Sequence, residues 1–100
     1  MSARKSGLQR EVLALYRRAL RMVRTKPVHA QPKFLLFVRF SFHMQAASVT
    51  PRNVAAIEHL IRRGRRQIEM YENSSIKDCQ ISQAMRDWEQ RQSRQNILNS

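Results

Sequence analysis

Residues 33–42 read KFLLFVRFSF, and whether this stretch is strand or helix decides the fold. Four phenylalanines in ten residues suit a strand, and the even and odd positions are both largely apolar. Three features favour a helix instead. The stretch runs straight on into HMQAA (residues 43–47), no hairpin turn follows it, and no second strand is on hand to pair with it. A helix over residues 33–47 is then apolar almost all round. Phe34, Leu35, Val38 and Phe42 make one face; Leu36, Phe37, Phe40 and Met44 make another. Such a helix must be central to a bundle or covered by something else.

The flanking segments supply the bundle. Downstream, Thr50-Pro51 predicts a helix start, with Thr50 as N-cap and Pro51 in the first turn. Val54, Ile57, Ile61, Gly64 and Ile68 follow at spacings of three and four, a single packing seam. Glycine inside a helix costs about 1 kcal/mol against alanine, so Gly64 in that seam points to close helix approach. The run ENSS (residues 72–75) breaks this helix after Tyr71.

Upstream, a helix is expected from Gly7 to Thr25, with Ser6 as N-cap and Pro27 beyond its end. Its apolar arc is Leu8, Val12, Leu15, Tyr16, Ala19, Met22 and Val23. Residues 28–32, between Pro27 and Pro32, read as a linker. Residues 80–98 read as a final exposed helix with Met85 and Trp88 as docking points. The expectation is all-α: a small antiparallel three-helix bundle over residues 6–72, a basic extension over 1–5, and a tail over 73–100 carrying an extra C-terminal helix.

Charge sets the kind of partner. The chain has 100 residues and a formal net charge of +12, so an acidic protein, nucleic acid or anionic membrane is indicated. Cys79 is the only cysteine, which excludes an intrachain disulfide and a cysteine-built zinc or iron–sulfur site. His29, His43 and His59 share no ligand spacing, so no metal site is expected. No apolar run reaches the roughly 18 residues of a membrane span. Gly7 and Gly64 stand apart, giving no phosphate-cradling loop, and no nucleophile–base set stands out, so catalytic residues are not expected.

The arginines are organised. Arg10, Arg17, Arg21 and Arg24 project as one line beside the apolar arc of the first helix, and like charges at i,i+4 repel. A second cluster is Arg62, Arg63, Arg65 and Arg66. On the residues alone three readings stay open: solvation, nucleic acid, or an acidic protein partner. The nucleic-acid reading is short of exposed aromatics for stacking, since most lie among aliphatics in the second helix. Residues 1–26 hold eight basic residues and one acid on an amphipathic pattern, the composition of a mitochondrial targeting segment, here overlapping a folded helix.

Leu15-Tyr16-Arg17 near the start of a small basic helical chain resembles the motif of the mitochondrial LYR family. SGLQREVLALYR (residues 6–17), Lys26-Pro27, Phe42 and TPRNVAAIEHLIRRGRRQIEMY (residues 50–71) resemble its succinate dehydrogenase assembly factor branch. The likeness covers about residues 6–80. His43-Met44 stands where relatives tend to carry a basic residue.

The resemblance implies a mitochondrial matrix chaperone, not an enzyme, that helps iron–sulfur clusters into the iron–sulfur subunit of succinate dehydrogenase. It implies recruitment of a J-type co-chaperone through Leu15, Tyr16 and Arg17, and contact with the iron–sulfur subunit through Arg62, Arg63, Arg65 and Arg66. It further implies an acyl carrier protein on the basic face with Arg10, Arg21 and Arg24, its acyl-phosphopantetheine arm reaching between the helices; Phe34, Phe37, Phe40 and Phe42 then read either as the lining of an acyl-chain slot or as ordinary core. Beyond that arm no cofactor is expected to be bound, and neither nucleic acid nor membrane insertion is expected.

Overall fold

The amphipathic arc of the first segment forms α1 (Gly7–Arg24), which buries Leu15, Ala19, Met22 and Val23. The computed structural model describes residues 7–99; the expected Ser6 cap and the extension over 1–5 lie outside them. Arg21 and Arg24 in the last turn of α1 complement its dipole. Its terminal carbonyls are taken up locally: Thr25 N–H donates to Met22 O at 3.0 Å, Lys26 N–H to Val23 O at 3.1 Å, and the Gln31 amide to Arg24 O at 3.4 Å.

The expected linker over residues 28–32 does not exist as one. Val28–Ala30 make a turn of 3-10 helix that runs straight into α2 (Gln31–Ala47). Proline is tolerated in a first helical turn, where its missing N–H would lack a partner anyway. Pro32 therefore starts α2 where it was expected to hold a linker open.

The second correction concerns α3 (Val54–Tyr71). Asn53 caps it, its side-chain oxygen accepting from Ala56 N–H at 3.1 Å, while Thr50 O accepts from Asn53 N–H at 3.0 Å in a preceding turn. Asparagine is as good an N-cap as threonine or better. Thr50-Pro51 is spent on reversing the chain. Within the seam Ile61, Gly64 and Ile68 are buried, Ile57 is half-buried and Val54 is exposed. The last helix, α4 (Gln83–Asn99), is capped by Ser82 Oγ, which accepts from Met85 N–H at 3.2 Å.

Pairwise contacts give the topology. Tyr16 meets Phe42 and Lys26 meets Phe34, so α1 and α2 run antiparallel. Leu15 meets Gly64 and Arg18 meets Glu72, so α1 and α3 run parallel, as an up-down-up bundle requires. Phe34, fully buried, centres the core with Leu15, Ala19, Met22, Val23, Ala30, Val38 and Ile68. Its burial contributes about 2–3 kcal/mol.

The opening stretch is apolar almost all round because it is covered on two sides, with Leu35, and Met44 just beyond it, left exposed. Phe34 and Val38 enter the bundle core. Phe40, on the far side, lies under Trp88 of α4 with ring centroids 5.9 Å apart at 76°. His43 at 5.3 Å and the Arg39 guanidinium at 5.5 Å complete the seat of Trp88. Ile76 and Cys79 of the intervening loop pack on the bundle core as well. No described helix is long and apolar enough to cross a membrane.

Candidate protein-docking surface

The three residues of the Leu15-Tyr16-Arg17 motif face three ways. Leu15 is buried against α3, and a β-carbon on Gly64 would lie 3.1 Å from its Cδ2. Tyr16 is half-buried, edge-on to Phe42 of α2 at 5.0 Å and 77°. Arg17 is exposed. Leucine and tyrosine thus fix α1 against both neighbouring helices, and arginine is what a partner meets.

Arg10, Arg17, Arg21 and Arg24 are all exposed along α1. On α3, Arg62, Arg63, Arg65 and Arg66 are exposed too, turned away from the Ile61–Gly64–Ile68 seam. The two basic sets belong to one rigid piece, because Leu15 beside the first set packs on Gly64 inside the second. Both are free to attract an acidic partner, which accelerates encounter and favours specific pairing.

Arg18, next in sequence to Arg17, serves a different purpose. Its guanidinium grips Glu72 bidentately, Nε to Oε2 at 2.9 Å and Nη2 to Oε1 at 2.7 Å, with Glu69 at 3.9 Å. The hydrogen bond from Arg18 is the main reason the Glu72 carboxyl sits below its ordinary range. The pair clamps the end of α3 to the middle of α1. Only its partners mark it in sequence: Glu69 and Glu72 are two acids three apart in an acid-poor chain.

Lys26 is the other residue that sequence reasoning left without a role. It is 5% exposed, and its Nζ donates to Asn73 O at 3.1 Å and Ile76 O at 2.6 Å. It ties the loop after α3 to the end of α1. Burial lowers its pKa.

The four phenylalanines are divided. Phe37 and Phe42 line a crevice between α1, α2 and α3 with Ala19, Gly64 and Tyr71, a space of only about 20 Å³. Phe34 is in the closed core and Phe40 is under Trp88. The crevice lining suits an apolar chain in character; its volume admits one only if the helices part. Cys79 is half-buried, and desolvation raises its thiol pKa, the opposite of nucleophile activation. No group of three His, Cys, Asp or Glu side chains among the described residues is placed to hold a metal ion.

Comparison with known proteins adds a family. The model of the complex 1 protein (LYR family) matches residues 10–70, which takes in most of α1, all of α2 and nearly all of α3 but not α4. The chain is 36% identical over 77 residues to a mitochondrial succinate dehydrogenase assembly factor 1 of Schizosaccharomyces pombe, covering 77% of this chain and 96% of that protein. It is 34% identical over 76 residues to the protein of that name from Saccharomyces cerevisiae, covering 76% of this chain and 95% of the relative. To the Bos taurus protein of that name it is 47% identical over 68 residues, 68% of this chain and 52% of the relative. No solved structure matches.

Proposed function

The chain belongs to the LYR family of complex 1 proteins, and from that premise we propose that it is a non-catalytic assembly factor for succinate dehydrogenase in the mitochondrion. Two similarities support this: relatives of that printed name match over about three quarters of the chain, and some are matched over nearly their whole length. The observation that carries it is the Leu15–Gly64 contact. It packs the helix that carries the LYR segment directly on the helix that carries the arginine block.

In the finer reading the protein works in the matrix, promoting cluster insertion into the iron–sulfur subunit and protecting that subunit meanwhile. Arg62, Arg63, Arg65 and Arg66 meet acidic groups of the subunit. Arg17, held outward by the packing of Leu15 and Tyr16, recruits the J-type co-chaperone. Arg10, Arg17, Arg21 and Arg24 offer an acyl carrier protein a line of positive charge, and an acyl chain presented by it would enter beside Phe37 and Phe42. The protein positions partners; it performs no bond chemistry.

Affinity purification of the tagged full chain from mitochondria, with mass spectrometry, tests the partner. The iron–sulfur subunit of succinate dehydrogenase should be enriched, and the double variant Arg62→Glu, Arg66→Glu should lose it. Enrichment of a respiratory-complex subunit unrelated to succinate dehydrogenase, with no iron–sulfur subunit, would overturn the assignment.

A further inference from the structure

Lys26, two residues past the end of α1, is a buried ammonium whose hydrogen-bond partners are two neutral carbonyls, with the Phe34 ring 5.3 Å from its nitrogen. A buried charge without a carboxylate to offset it is costly, and the lowered pKa has that origin. Lys26 also lines an open groove of about 550 Å³ beside the end of α1, within the size range of ligand-binding clefts. Pro27, Val28 and Ile76 give the groove apolar walls, and Val28 is 82% exposed. Arg21 and Lys77 add two exposed cations. The acid in the lining, Glu72, is already gripped by Arg18, with Arg21 adding a weaker attraction. The groove is therefore apolar in its walls and short of negative charge.

We propose that this groove is a docking site for an extended segment of a partner protein in which a carboxylate neighbours an aliphatic side chain. The carboxylate meets the positive field of Lys26, Arg21 and Lys77, and the aliphatic group covers Val28. No described residue outside the groove supplies this segment. Residues 1–6 carry Arg4 and Lys5 and no acid. A second copy fares no better. Its acids lie in or at the end of helices apart from Asp78, which Lys33 holds at 3.3 Å. The groove walls offer no aromatic face for stacking a base. The proposal stands independently of the succinate dehydrogenase reading.

The test uses the full chain and two labelled pentapeptides, one alternating leucine with aspartate and glutamate, the other with asparagine and glutamine in their place. The acidic peptide should bind at least tenfold more tightly, shifting NMR amide signals of residues 22–28 and 72–77. Val28→Glu, at an exposed position, should weaken it tenfold or more, and so should Lys77→Glu; Arg63→Glu, on α3, should leave it within twofold. Lys26→Met should also weaken it, and if that variant fails to fold, the exposed variants carry the result. Equal binding of both peptides, unaltered binding by Val28→Glu, or shifts on the Arg10–Arg17 or Arg62–Arg66 faces would overturn the proposal. Displacement of the peptide by hexanoate or a short oligonucleotide at matching affinity would do so too, since the groove would then be a general anion site.

Discussion

Leu15 Cδ2 lies 3.1 Å from the point a β-carbon on Gly64 would occupy, so the LYR helix and the arginine-bearing helix touch where one of them has no side chain. The contact sets how closely α1 and α3 approach. Replacing Gly64 by alanine should gain about 1 kcal/mol of helix propensity and lose a comparable amount as Leu15 gives way by a few tenths of an ångström. The net change in urea unfolding should lie within about 1 kcal/mol of zero. Gly64→Val adds branching at that point, and a loss of about 2–3 kcal/mol is expected. A stable valine variant would show that the two helices are not locked there.

The Arg18–Glu72 clamp should make stability depend on acid. The folded-state pKa of Glu72 lies below its ordinary value of 4.5, chiefly through the Arg18 hydrogen bond. Its contribution is therefore fully present above that value and is lost as pH falls through the lowered one. Between about pH 5 and pH 3 the urea midpoint should drop more steeply for the native protein than for Arg18→Gln. Asp78, also depressed, keeps its Lys33 and Cys79 partners in both proteins, so the difference reports on the acids that Arg18 meets, Glu72 foremost. Above pH 5 the pair should be worth no more than about 1 kcal/mol, since it is solvent-accessible. Parallel acid limbs would contradict the assignment.

Trp88 is the residue of α4 that is buried, and its Nε1 is enclosed without a hydrogen-bond partner. Trp88→Ala should release α4, raising amide exchange there while α1–α3 stay protected, with a loss of about 3 kcal/mol. Trp88→Phe keeps a ring over Phe40 and removes the stranded donor, whose burial costs about 1–3 kcal/mol. It should be far milder than alanine, within about 1 kcal/mol of the native protein. Equal damage from both would mean that the N–H is satisfied in solution.

What could be read from the sequence was what depends on near neighbours. The apolar arcs of α1 and α3, the role of Gly64 and the line of Arg10, Arg17, Arg21 and Arg24 are periodic, and a helical projection finds them. KFLLFVRFSF was legible as a helix needing cover, and Trp88 as a docking point; that one supplies cover for the other took the structure. Arg18 and Lys26 stayed hidden because their partners are 54, 47 and 50 residues away, with no local pattern to announce them. The start of α3 was misplaced because Thr50 and Asn53 are both competent caps, and the choice between them belongs to the chain reversal.

The exposed line on α1 should act through charge. Arg10→Glu with Arg17→Glu touches no buried contact, so circular dichroism should be unchanged. Binding of an acyl carrier protein or co-chaperone should fall at least tenfold, with the native affinity dropping steeply as salt is raised. Binding that survives charge reversal would reduce the line to a solvated surface.

The most direct measurement is succinate dehydrogenase activity in mitochondria lacking this chain, taken with the amount of cluster-loaded iron–sulfur subunit and with another iron–sulfur enzyme as control. Both succinate dehydrogenase readings should fall and return when the native chain is restored, while the control enzyme stays near normal. Full succinate dehydrogenase activity without the chain, or an equal fall in the control enzyme, would contradict its assignment as an assembly factor for that complex.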